Sequence, residues 1–340
     1  MMAYSAAFFD QRMTGSLRSA REIVPLVLDL VHPESVIDVG CGLGTWLSVF
    51  RQHGVLDVWG VDGDYVNPES LQIPKERFLA ADLTRWVGME GQFDLVVSLE
   101  VAEHLPPDCA QSFVDSLTRL GPVVLFSAAI PFQRGTHHVN EQWPEYWAAH
   151  FEKHGYVGID CIRKRIWTNE DVDWYYAQNI LLYARRDYVE QRPVLNRAFE
   201  DTARSQLSIV HPRKYLAEIT LLMLVHDLAG LIRPEDTFIL VDQEAFRKYL
   251  PGWRRALPFL EKDGLYWGTP HDGAAAVSEL ERLRRTGAGF IVFARPAFRW
   301  FDCYPELERH LRERFQCLLR NERVVIFDLR REPEAPSSSL

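Results

Sequence analysis

The run Val36-Ile37-Asp38-Val39-Gly40-Cys41-Gly42-Leu43-Gly44-Thr45-Trp46 decides how the first half of this chain folds. Its opening residues are β-branched and apolar, as in a buried strand. Three alternating glycines follow, and a helix is expected from about Thr45. Glycine accepts φ > 0 and, having no Cβ, lets backbone approach a ligand closely. The spacing then discriminates between ligands. A dinucleotide fingerprint runs G-x-G-x-x-G. Here the glycines stand at 40, 42 and 44, Thr45 occupies the place of the third fingerprint glycine, and an acid, Asp38, precedes Gly40 by two.

Outward from this turn, short apolar runs alternate with amphipathic segments, the pattern of an α/β doubly wound sheet. Strands are expected at 36–39, 58–61, 77–80, 93–99 and 123–128. Two more, at 156–163 and 179–184, follow without a long helix between them. Upstream, 16–30 is expected to be helical, with Leu17, Ile23, Val24, Val27 and Leu28 on one face. Pro25 predicts a kink or two shorter helices there. The aromatic cluster at 4–9 serves either as packing under this helix or as a lid over a ligand, with Arg18 beside the ligand's carboxylate.

Beyond 186 the character changes. A charged helical connector is expected over 187–235, a smaller α/β domain over 236–330, and a disordered Pro/Ser-rich tail over 331–340. The second domain's strands are expected at 237–242, 290–294 and 324–328, with helices at 273–286 and 304–319. None of these strands runs into a glycine-rich turn. The apolar stretch 215–232 contains Glu218, His226 and Asp227, so it is read as an amphipathic or buried helix and not a membrane span.

Composition narrows the partners. The 340 residues carry a net charge of -9, with 47% hydrophobic and 25% charged residues. That balance belongs to an ordinary globular protein and speaks against a broad DNA-binding or anionic-membrane surface. The five cysteines are scattered and show no C-x-x-C. Together with an N-terminus lacking a basic-then-apolar leader, they predict a cytoplasmic protein with reduced thiols.

The D-x-G-x-G-x-G string at 38–44 resembles motif I of the class I S-adenosylmethionine (SAM)-dependent methyltransferases, and the likeness extends over residues 1–186. The resemblance implies a Rossmann-like, doubly wound seven-stranded sheet whose last strand is antiparallel, beside the second, smaller C-terminal α/β domain. It also implies SAM as cofactor. Asp38 would help position the amino-acid portion, while Asp82 and the backbone of Leu83 would address the adenine. Asp62, at the end of the second strand, has the placement of a ribose-binding acid. The cofactor set is then Asp38, Gly40, Cys41, Gly42, Gly44, Asp62, Gly63, Asp82, Leu83 and Glu100. A nicotinamide oxidoreductase is the competing enzyme class.

The methyl acceptor is sought at two further places. The fourth strand ends in Ser98-Leu99-Glu100-Val101-Ala102-Glu103-His104-Leu105. Such an E-x-x-E-H-L segment is either a structural helix start beside the cofactor or a metal site. In the second case Glu100, Glu103 and His104, joined by His138, suit Mg²⁺, Mn²⁺ or Zn²⁺. The string resembles that of metal-dependent ubiquinone-type O-methyltransferases and of small-RNA terminal 2′-O-methyltransferases. After the fifth strand, His137, His138 and Glu141 are the expected catalytic residues, a histidine acting as general base or joining the metal. Trp143, Tyr146 and Trp147 form core or a stacking wall. Gln178 and Asn179 bind acceptor hydroxyls or close a turn. The stretch His137-His138-Val139-Asn140-Glu141-Gln142-Trp143-Pro144, together with the block 166–179, resembles methyltransferase-domain proteins of bacterial polysaccharide and nucleotide-sugar clusters. The expectation is O-methylation of a small-molecule or sugar hydroxyl. An RNA 2′-O-methyltransferase and a non-catalytic SAM-binding scaffold are the alternatives, and homodimerisation through the C-terminal domain is a further expectation.

Overall fold

A computed structural model of the chain describes residues 6–85, 89, 91–243, 246–247, 250 and 255–330, without side-chain surroundings for 6–14 and 296. Of the aromatic cluster at 4–9, residues 4 and 5 lie outside what is described and 6–9 are described as helix backbone only; the tail at 331–340 lies outside as well. Two compact units divide the chain, Met1–Lys214 and Tyr215–Leu340.

The first unit contains a seven-stranded sheet in the order β3-β2-β1-β4-β5-β7-β6. Its strands are β1 (Ser35–Val39), β2 (Asp57–Asp62), β3 (Phe78–Ala80), β4 (Leu95–Leu99), β5 (Val123–Ser127), β6 (Tyr156–Ile159) and β7 (Leu181–Arg185). β1 to β5 are parallel, and β7 runs antiparallel to both β5 and β6. The reversal of strand order beside β1 places a crevice at the carboxyl ends of β1 and β4, where open α/β sheets bind ligands.

Both sheet faces are covered, which explains the near-continuous apolar strands. Val36, Val97, Leu125 and Leu182 face one core with Ile23, Val24 and Val27 of α1 (Ala6–Val31) and Leu47 and Phe50 of α2 (Thr45–Gln52). Ile37, Val96, Val124 and Phe126 face the other, with Phe113 and Leu117 of α3 (Ala110–Leu120) and Trp147 and Phe151 of α4 (Pro144–Glu152).

Three boundaries differ from expectation. α1 continues through Pro25 as one helix, held by the burial of Ile23, Val24 and Val27 on either side of it. β6 ends at Ile159, because Asp160 turns the chain into α5 (Arg163–Ile166) by accepting from the Arg163 guanidinium at 3.0 and 2.8 Å. Asn179 closes α6 (Trp174–Asn179) instead of opening β7. The segment after β7 holds α7 (Arg186–Glu190) and α8 (Pro193–Glu200), both in the first unit, and then α9 (Pro212–Ala229).

The second unit has its own five-stranded sheet, ordered β13-β14-β12-β8-β9. β8 (Phe238–Val241), β9 (Ala256–Pro258) and β12 (Phe290–Ala294) are parallel, while β13 (Gln316–Arg320) and β14 (Val324–Asp328) form an antiparallel edge. A small hairpin, β10 (Glu261–Lys262) with β11 (Leu265–Tyr266), precedes α10 (Gly273–Arg285); α11 (Arg299–Cys303) and α12 (Pro305–Arg314) follow β12. The helix expected over 304–319 stops at Arg314. Phe315 leaves the helical region and is buried, and the residues after it gain ladder bonds to β14.

Candidate functional site

The glycine turn leaves β1 with Gly40, Gly42 and Gly44 at φ of 88°, 54° and 79°, the left-handed region that only glycine enters without strain. The N–H groups of Gly40 and Cys41 both donate to the Val61 carbonyl, at 2.7 and 3.2 Å, which ties the turn to β2. Space differs along it. A Cβ on Gly40 would fall 2.3 Å from Val101, whereas one on Gly42 would meet nothing within 4 Å. Gly40 is thus pressed against the segment that follows β4, and Gly42 faces open space.

Two buried acids flank the turn. Asp62 accepts the Gly42 N–H on Oδ2 and the Gly63 N–H on Oδ1, each at 2.6 Å, and the Tyr65 hydroxyl also donates to Oδ1. Gly63 is required beside it, since a Cβ there would lie 2.2 Å from the Tyr65 ring. Burial, with the neighbouring Asp62 charge, raises the Asp38 carboxyl well above the usual range. The same causes, burial first and then Asp38 and Asp62, push up the Cys41 thiol. Asp82 is exposed; the Thr84 hydroxyl and N–H donate to it at 2.7 and 3.0 Å and hold its carboxyl below the usual range. Leu83 packs partly buried against the second sheet core. Arg18 reaches towards Asp173, at 3.5 Å.

This cradle fits a SAM-type ligand. It offers a Cβ-free turn open at Gly42, braced by its own N–H groups, and acids at the ends of three consecutive strands.

Past β4 the backbone is unusual. Glu100 has φ 55°, and its N–H donates to both the carbonyl and the hydroxyl of Ser127, each at 3.0 Å. Its carboxylate is held by two amides, Gln133 Nε2 at 2.9 Å and Asn179 Nδ2 at 3.0 Å. Gln178, fully buried, donates to Gln133 and to Asn179 and accepts the His211 N–H. Lys214 donates to the Gln133 carbonyl at 3.2 Å. Gln178 and Asn179 are therefore members of a buried network that fixes Glu100, not a surface awaiting acceptor hydroxyls. These pairings do not follow from sequence spacing, because they join the segments after β4 and β5 to the end of α6, which only the sheet order brings together.

Glu103, His104 and His138 form a second group, each offering a ligand atom within 4.8 Å of the others. Glu100 is not among them. The His104 and His138 rings meet edge to face at 4.9 Å. The loop carrying His138 is tied down by the Val139 and Asn140 N–H groups, both donating to the Glu103 carbonyl at 2.9 and 3.0 Å. His138 Nδ1 donates to Glu141 Oε1 at 2.8 Å, so Nε2 is the nitrogen turned away from that carboxylate. One carboxylate and two imidazoles suit a borderline divalent cation, and a histidine whose other nitrogen donates to a carboxylate is the usual arrangement around one. The donor set fits Mn²⁺ or Zn²⁺ and accommodates Mg²⁺ less well, since Mg²⁺ prefers oxygen.

The remaining candidates separate by exposure. His137 is exposed, at φ 61°, outside that group. Trp147 is core, packed on Phe126 at 5.4 Å, with Tyr146 against it, while Trp143 stays exposed. Two contributors had no sequence signal. Tyr65 orients Asp62, and Gly135 leaves room for the His138 ring, 2.0 Å from where its Cβ would stand.

Residues 10–164 match a family model described as a methyltransferase domain. Among solved structures, the chain is similar to the magnesium protoporphyrin IX methyltransferase (ChlM) of Synechocystis PCC 6803 with bound SAH, at 21% identity over 52% of this chain and 87% of that one, with a TM-score of 0.40. An O-methyltransferase family protein from Burkholderia thailandensis matches at 16% identity, over 54% and 61%, with a TM-score of 0.40. The methyltransferase domain of bacterial CtHen1-C matches at 23% identity, over 49% and 97%, with a TM-score of 0.36. No curated protein matches the chain. No helix among the described residues is long and apolar enough to cross a membrane.

Proposed function

We propose that this chain, whose residues 10–164 match a methyltransferase-domain family model, is a SAM-dependent methyltransferase that methylates a sugar-type hydroxyl on a small molecule or glycan. Glu103, His104 and His138 are proposed to hold a divalent cation at the acceptor. The carrying observation is that His138, from the loop after β5, meets Glu103 and His104 while Glu141 takes its other nitrogen.

SAM supplies, when bound, a methyl group on a sulfonium that leaves without acid or base assistance. The chain's task is then positioning, together with help for the departing hydroxyl proton. In this reading Gly40, Cys41, Gly42 and Gly44 cradle the cofactor, and Asp38 faces its ammonium. Asp62 and Gly63 take the ribose, and Asp82 with the Leu83 backbone takes the adenine. Glu100, fixed by its amides, borders the methyl-transfer cleft. A divalent cation on Glu103, His104 and His138 would lower the acceptor hydroxyl's pKa. Glu141 acts through His138 by fixing its tautomer. His137, exposed on the same loop, would take up the released proton, and the exposed Trp143 would offer an apolar face to a sugar ring. Polysaccharide or nucleotide-sugar biosynthesis is the matching role.

The test is methyl transfer from labelled SAM to a panel of nucleotide sugars, free glycans and a short oligoribonucleotide, with and without chelator. Sugar methylation that EDTA abolishes and Mn²⁺ restores is expected. Full activity in chelator would remove the metal, and methylation confined to the oligoribonucleotide would replace the sugar by an RNA terminus.

A further inference from the structure

Helix α9 presents two opposed faces. Leu221, Leu224 and Leu228 are buried with Ile232, Phe238 and Leu240 in the core of the second unit. Tyr215, Leu216, Ile219, Leu222 and Met223 are all exposed, Leu216 and Leu222 at 60% each. At the helical advance of about 100° per residue these five fall in one stripe roughly 120° wide, opposite the buried leucines. Single exposed apolar residues are ordinary, but a contiguous stripe marks an interaction surface.

The stripe reads the same in both directions. Tyr215 and Met223 flank Ile219 at equal distances along the helix, and so do Leu216 and Leu222. Two copies of α9 laid antiparallel across a two-fold axis at Ile219 would oppose Tyr215 to the second copy's Met223, and Leu216 to its Leu222. Each Ile219 would then meet its own counterpart. An isologous interface demands this self-complementarity. Antiparallel helices also bring opposite dipole ends together.

We propose that this stripe is a homodimer interface, and that its occupant is a second copy of this chain. The five side chains offer about 500 Å² per copy, roughly 1,000 Å² in total, which is the lower bound of a specific interface. The dimer is accordingly a reversible one. A lipid surface fits less well, since membrane-surface helices carry Lys and Arg on their polar face. Between Tyr215 and Ala229 this helix has neither, and it carries Glu218 and Asp227.

Sedimentation velocity of the full chain over about 1–100 µM, the range in which an interface of this size dissociates, tests the proposal. Wild type is expected to show a concentration-dependent monomer–dimer equilibrium. Ile219→Asp, which sets two carboxylates face to face on the axis, should be monomeric throughout with an unchanged circular dichroism spectrum. Leu265→Asp, on the exposed β10–β11 hairpin, should dimerise like wild type. In a Cys303→Ser/Cys317→Ser background, Ile219→Cys should cross-link to itself on mild oxidation, whereas Tyr215→Cys should do so only when mixed with Met223→Cys. A monomeric wild type, or a dimer that survives Ile219→Asp, would overturn the proposal. So would a monomer that binds anionic vesicles through this stripe.

Discussion

At Gly135 the absence of a single carbon sets the position of His138. A Cβ there would stand 2.0 Å from His138 Nε2, so Gly135→Ala must push the imidazole away from Glu103 and His104. Turnover should fall about 10–100-fold, the usual cost of disturbing a metal-site orientation, while S-adenosylhomocysteine affinity by calorimetry stays within twofold. Undiminished turnover would take His138 out of the reaction. Placement that follows from spacing along the chain was legible here: Asp38 and the glycines at the end of β1, then Asp62 and Asp82 at or just past the ends of β2 and β3. Residues whose role comes from what the fold brings beside them were not. Glu100 was read with Glu103 and His104 because they are neighbours in sequence, yet the 3.0 Å contact from Asn179 and the 2.9 Å contact from Gln133 engage its carboxylate elsewhere.

At the scale of elements, the turn from β6 into α5 is fixed by one buried cation. Arg163 makes four hydrogen bonds, two to Asp160 and one each to the carbonyls of Gln178 and Leu207. It is 1% exposed, so removing it leaves the partly buried Asp160 carboxylate and two carbonyls without their donor. Arg163→Ala should cost about 3–5 kcal/mol, measured by urea unfolding. A loss below about 1 kcal/mol would show that the turn is held by its apolar contacts instead. The sequence pattern there looked like continuous strand because Asp160 and Arg163 carry no periodic signal. The same blindness extended the last helix to 319. Residues 305–320 contain enough leucine and charge for a helix throughout, and only pairing with β14 turns the final five into strand. Local propensity is weak against a ladder that buries its neighbours.

At the scale of the whole molecule, the doubly wound parallel strands followed from the alternation of apolar and amphipathic segments, and the antiparallel β7 followed from the family resemblance. The division of the chain was harder to read. It falls between Lys214 and Tyr215, inside α9, where helical periodicity runs on without a break in composition. In the proposed function, a SAM cradle at β1 and β2 and a cation group at Glu103, His104 and His138 together form one methyl-transfer site. Crystals of the full chain grown with S-adenosylhomocysteine and Mn²⁺, measured at the manganese absorption edge, test it directly. Bound S-adenosylhomocysteine against Gly42 and Asp62 is expected, with one anomalous peak coordinated by those three residues on the thioether side of the ligand. Bound S-adenosylhomocysteine with no manganese at Glu103, His104 and His138 would contradict it.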